Sequence, residues 1–128
     1  MIGVDIIRVE RVAKLAKESK AKKVFTEKEF NYARTKSSNK TYGEVCCPMD
    51  NTFAGLFCAK EAFLKALGIG IGDEFALNEV EVAHEVSGKP YIVITDKIKD
   101  YLKKQNLSVV NLTISHDGGM AVAVVEIS

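Results

Sequence analysis

Two acids and two lysines in this chain interrupt apolar segments and could do chemistry if they meet in space. Asp5 interrupts the aliphatic run Ile2-Gly3-Val4-Asp5-Ile6-Ile7, and Lys60, Glu61 and Lys65 fall inside the apolar stretch Phe53 to Gly68. Carboxylates are hard-oxygen donors, and two of them suffice for Mg²⁺ when phosphate oxygens and water complete the octahedron. Asp5 and Glu61 are therefore the candidate metal ligands. Glu61 and Lys65 are four residues apart, close enough to pair over one helical turn. The plainer alternative is an exposed Glu61–Lys65 pair worth only tenths of a kcal/mol, with Lys60 snorkelling out of an otherwise apolar face.

These residues need a strand and a helix to hold them. Ile2, Val4 and Ile6 alternate with Gly3, Asp5 and Ile7, so the acid lies on one strand face beside Gly3 and Ile7. At a hundred degrees per residue, Phe53, Leu56, Phe57, Phe63, Leu64 and Leu67 form one apolar arc with Lys60 at its middle. Between them, Arg8 to Lys20 predicts a helix with Val9, Val12, Ala13 and Ala16 inward and Arg11, Lys14 and Lys17 outward. Thr26 with Glu29 makes a capping box and Phe25 with Phe30 a hydrophobic staple, so a second helix starts there and ends near Thr35. Lys36 to Asn51 has no periodicity and reads as a long loop.

Gly68-Ile69-Gly70-Ile71-Gly72 ends a helix instead of joining a strand to one, so it is no dinucleotide loop. Gly68 reads as a helix C-terminal glycine. Glu79 to Glu85 and Tyr91 to Thr95 predict a hairpin around Ser87-Gly88-Lys89-Pro90. A short helix over Asp96 to Lys104 and strands Val109 to Ser115 and Ala121 to Ile127 close the chain. The order β-α-α-α-β-β-α-β-β is α+β, an antiparallel sheet packed with helices.

With 128 residues the expectation is one domain over residues 1–128, large enough for a core without staples. Eighteen Lys and Arg against 17 Asp and Glu give net +1, which argues against wholesale binding to nucleic acid or membrane. Cys46, Cys47 and Cys58 lack metal-ligand spacing and the two histidines, His84 and His116, lie far apart, so zinc is not expected. With no apolar run of membrane-spanning length, a cytoplasmic protein is the expectation.

Four blocks together resemble a known family. Ile2-Gly3-Val4-Asp5-Ile6, Phe57-Cys58-Ala59-Lys60-Glu61-Ala62-Phe63-Leu64-Lys65-Ala66, Gly88-Lys89-Pro90-Tyr91 and Ser115-His116-Asp117 match, in order and spacing, the pattern of the holo-[acyl-carrier-protein] synthases. These are the short class of 4′-phosphopantetheinyl transferases. Ile7 stands where the longer class carries a second acid, and the length accommodates one copy of the fold.

The resemblance implies Mg²⁺-dependent transfer of 4′-phosphopantetheine from coenzyme A to a serine of apo acyl carrier protein, releasing adenosine 3′,5′-bisphosphate. Asp5 and Glu61 would hold the metal, and Lys65 would reach the pyrophosphate. Lys60, Gly88, Lys89, Pro90 and His116 would border the coenzyme. A homotrimer with sites between subunits is implied too, and the acidic carrier makes Arg11 and Lys14, with Arg8, docking candidates. Leu56 stands where the family often has a phosphate-contacting arginine, so Lys36 and Lys40 become substitutes. The general base is left open, with Glu29 among the candidates. A Mg²⁺-dependent hydrolase of nucleotide pyrophosphates and a non-catalytic carrier-binding module are the competing readings.

Overall fold

The computed structural model describes residues 1–36 and 48–128. Its centre is the helix α3, Pro48–Leu67, packed against a three-stranded antiparallel sheet of order β1-β5-β4, where β1 is Ile2–Arg8, β4 Val110–Asp117 and β5 Met120–Ile127. Apolar residues surround α3 so completely that Phe53, Leu56, Cys58, Ala59, Ala62, Phe63 and Leu64 are all buried. It begins earlier than expected, because Pro48 to Asn51 are helical and not part of a loop. A proline in the first turn is pre-set for helix and loses no bond there. Gly68 closes the helix at φ 70°, the left-handed conformation that glycine permits.

The sheet and α3 meet through Gly3. A Cβ at that position would overlap the Ala62 carbonyl oxygen and the Ala66 amide nitrogen, so only glycine lets β1 lie directly on the α3 backbone. Asp5, two residues on, shares that inward face. The alternate face of β1 is bare: Ile2, Val4 and Ile6 are 70, 53 and 64 % exposed.

Helix α1, Val9–Ala16, buries Val9 and Val12 and leaves Arg8, Arg11, Lys14 and Lys17 exposed. It is shorter than expected, the basic continuation Ser19–Lys23 winding as a 3₁₀ turn. Helix α2, Glu27–Thr35, starts on the expected capping box, and Phe25 meets Phe30 edge-on at 5.8 Å. The hairpin strands are shorter than the alternation suggested: β2 is Val82–His84 and β3 Pro90–Ile92, preceded by a 3₁₀ turn at Leu77–Glu79. They form a separate two-stranded sheet with Gly88 at φ 93° in the turn. Helix α4, Asp96–Lys104, is capped by Thr95. The β4–β5 turn narrows to Gly118-Gly119, both at positive φ, so His116 and Asp117 belong to β4. No helix of the described residues is long and apolar enough to cross a membrane.

Candidate active site

The strand acid and the helix acid converge. Asp5 Oδ1 accepts a hydrogen bond from Lys65 Nζ at 2.8 Å, with the Asp5 side chain 13 % exposed and the lysine half in solvent. Burial first, and then the Asp5 charge, push the Glu61 carboxyl above its usual range, while Lys65 pulls it back. Lys65 is held above its usual value, chiefly by its bond to Asp5. Two carboxylates thus face one ammonium, leaving a local excess of negative charge. Among the described residues no group of three or more His, Cys, Asp or Glu could hold a metal by itself. A cation here needs further oxygen donors.

Cys58, one turn before Glu61, backs this cluster. Its thiol donates to the Ala121 carbonyl at 3.4 Å, and burial, followed by the charge and hydrogen bonding of Asp5, pushes its pKa up to about 12. It stays a thiol, a neutral floor under the acids. Sequence reading assigned it no part.

Lys60 departs from both expectations. It neither snorkels nor faces a ligand: its exposure is 0 %, and Nζ donates to Glu29 Oε1 at 2.7 Å, the Leu77 carbonyl at 3.0 Å and the Val80 carbonyl at 2.7 Å. All three ammonium donors are used, so Lys60 is no coenzyme contact. Burial lowers its pKa, and the Glu29 carboxylate pushes back. The same network removes Glu29 from the candidate general bases, since its exposure is 1 % and both oxygens accept bonds.

A cleft of about 460 Å³ opens along the N-terminal half of α3. Gly88, Pro90 and His116 line it, as does Lys36; Leu56 lines it too, largely as a core residue. Lys89 is exposed and outside that lining. Among the lining residues that escaped the sequence reading, Tyr32 and His84 stack at 3.8 Å with their planes 5° apart, and Lys36 Nζ lies over the Tyr32 ring, 5.0 Å from its centroid. Tyr32 lies three residues past Glu29 on an amphipathic helix, a signal of sorts; His84 gave none. The His84 Nδ1 is buried without a partner among the described residues. Burial, and next the Lys36 charge, lower its pKa.

His116 also lines a smaller hollow of about 210 Å³ with Ile6, Asp117 and Met120. The acids line neither space, but Glu61 is six residues past Gly55 of the cleft wall, about 9 Å along the helix. A larger hollow, about 690 Å³, lies between the end of α1 and α2, lined by Lys22, Phe25, Phe30 and Arg34, and it contains none of the acid cluster. Size alone would select it; the charged groups select the α3 side. Lys40, Cys46 and Cys47 lie outside the described residues.

Residues 1–125 match the family described as the 4′-phosphopantetheinyl transferase superfamily. The chain belongs to that family. It is 38 % identical over 125 residues to a holo-[acyl-carrier-protein] synthase of Fusobacterium nucleatum, covering 95 % of this chain and 93 % of the relative. Its fold is similar to the crystal structure of the Helicobacter pylori synthase in complex with coenzyme A, with a TM-score of 0.79, 30 % identity and full coverage of both chains. A Bacillus anthracis synthase in complex with coenzyme A (3′,5′-ADP) gives a TM-score of 0.73 at 32 % identity, covering 98 % of this chain and 92 % of that one. The α+β architecture of the family is thereby shown for this transferase as well.

Proposed function

We infer that this chain transfers the 4′-phosphopantetheine of coenzyme A to a serine of apo acyl carrier protein, the activity of a holo-[acyl-carrier-protein] synthase, EC 2.7.8.7. The observation that carries the chemistry is the meeting of Asp5 and Glu61 beside Lys65. The serine oxygen attacks the phosphorus bearing pantetheine, the bond to the nucleotide's bridging oxygen breaks, and adenosine 3′,5′-bisphosphate leaves. The serine hydroxyl proton passes to solvent or to the leaving phosphate, because Glu29 is closed to it.

Asp5 and Glu61 fit Mg²⁺ as ligands: they are hard-oxygen donors, and the Asp5 charge raises the Glu61 pKa, a repulsion that a divalent cation relieves. Bound there with phosphate oxygens, the ion would neutralise charge developing on the pyrophosphate. Lys65 is exposed and can leave Asp5 for the substrate, supplying a cation to the leaving phosphate. In the cleft, Lys36 and His116 are the candidates for the phosphate contact that Leu56 lacks, with Gly88 and Pro90 forming the hairpin wall and Lys89 outside it.

A single domain over residues 1–128, acting in the cytoplasm as a homotrimer, completes the reading. Support for self-association comes from the bare Ile2, Val4 and Ile6 face of β1, continued by Val124 at 36 % exposure. The hollow shared by Ile6 and His116 borders that face, so a second copy would close it. The exposed Arg11 and Lys14 of α1 would steer the acidic carrier.

Incubation with coenzyme A, Mg²⁺ and apo carrier tests the reaction. A mass gain of one phosphopantetheine on the carrier is expected. Bisphosphate release without carrier would favour the pyrophosphate hydrolase, and carrier binding without either product would favour a non-catalytic module.

A further inference from the structure

The Glu29–Lys60 pair takes part in no step of the transfer, yet its hydrogen bonds reach three of the elements that wall the cleft, α2, α3 and β2. Beyond the three bonds of Lys60, Glu29 Oε1 accepts from the Thr26 amide at 2.8 Å and Oε2 from the Val82 amide at 2.9 Å. One buried ion pair therefore joins the first turn of α2, the middle of α3, both ends of the 3₁₀ turn at Leu77–Glu79 and the first residue of β2.

From each anchor the chain runs straight into the cleft lining. Tyr32 lies three residues beyond Glu29 on α2, and Lys36 is that helix's C-cap. Leu56 and Thr52 lie one and two turns before Lys60 on α3. His84 lies two residues beyond Val82, on the same face of β2. The parallel rings of Tyr32 and His84 are the visible result of that registration, since α2 and β2 touch the same pair and then touch each other. Apolar contacts tolerate sliding and rotation; five directed bonds around two buried charges have one arrangement.

We propose that Glu29–Lys60 is a positioning clamp that sets affinity for the coenzyme, by holding α2, α3 and the β2–β3 hairpin in the register that forms the cleft. The proposal rests on the reading of that cleft as the coenzyme site. Glu29 and Lys60 are positioning residues, because neither has an exposed atom with which to touch substrate.

Two variants test it. Glu29→Gln with Lys60→Met removes both charges at similar volume, so no buried ion is stranded. Glu29→Asp keeps the charge and withdraws it by one methylene. Coenzyme A affinity by calorimetry, KM for coenzyme and for carrier, kcat, and the ring-proton shifts of His84 are read for each. Coenzyme Kd and KM should rise about tenfold or more in the double variant and about threefold in Glu29→Asp, with carrier KM unchanged. The upfield shift that Tyr32 imposes on the His84 ring should diminish in parallel.

Folded variants with wild-type coenzyme affinity and an intact His84 shift would overturn the clamp. So would a loss confined to melting temperature, with both KM values unchanged. Should the double variant fail to fold, Glu29→Asp decides alone. A wild-type protein that fails to modify the carrier contradicts the transferase reading instead, and the His84 shift then still judges the clamp without any ligand.

Discussion

On one side of α3, Lys60 meets Glu29 out of contact with water; on the other, Lys65 meets Asp5 and Glu61 at the surface. The two pairs have similar N–O distances, 2.7 and 2.8 Å, and share a helix, yet their bonding differs in kind. Lys60 and Glu29 have every donor and acceptor engaged and their charges balanced. The other cluster has one acid too many, a raised Glu61 and a lysine half in solvent. Saturation makes a frame, and excess charge with access makes a place for a cation and a phosphate.

The largest expected effect strikes the open cluster. Asp5→Ala or Glu61→Ala should reduce transfer on the order of 10³-fold, as loss of a principal electrostatic group does. Melting temperature should be unchanged or higher for Glu61→Ala, since the fold loses a carboxylate it holds above its usual pKa. A proportionate fall in stability and turnover together would erase the distinction between the two pairs.

The closed pair should behave in the opposite way. Lys60→Met strands the buried Glu29 carboxylate and should cost about 3–5 kcal/mol by chemical denaturation. Lys65→Met, at a side chain 54 % exposed, should cost less than about 1 kcal/mol while turnover falls. Equal stability losses would show that burial does not separate them.

Gly3→Ala joins both readouts. The added methyl overlaps the α3 backbone, so β1 must move, with a stability loss of about 1–3 kcal/mol and reduced transfer as Asp5 is displaced. A smaller effect is expected at the carrier side, where Arg11→Glu should raise carrier KM about tenfold at low salt and leave coenzyme KM unchanged.

Smallest is a pH effect at the cleft wall. The His84 pKa is lowered from 6.5 in the fold, so as pH falls below that value the unfolded chain takes up a proton that the fold resists, and stability declines. The decline stops growing once pH has passed through the folded pKa. Urea unfolding at several pH values should show a slope below pH 6.5 that His84→Asn removes.

Much of the frame was legible in the sequence because its signals are local. The Thr26–Glu29 capping box, the Phe25–Phe30 staple, Gly68 and the span of α4 follow from residues a few positions apart. Lys60 was misread because its acceptors, Glu29, Leu77 and Val80, are 17 to 31 residues away, and no periodicity connects them. A capping-box glutamate already has a sufficient local reason to exist, which hid its second bond. Gly3 carried the site's decisive backbone contact under the guise of a small strand residue. Pro48 to Asn51 read as loop because a proline and two polar residues mask a helix start.

The contrast between the two pairs stands on what Glu61 does, and a titration of Glu61→Gln with Mg²⁺ tests it most directly. Phosphopantetheine transfer to carrier is followed against Mg²⁺ concentration for this isosteric variant and the wild type, with folding checked by melting. The expected result is a folded variant whose residual transfer saturates only at much higher Mg²⁺, or not at all. Wild-type transfer at the wild-type Mg²⁺ dependence would contradict it.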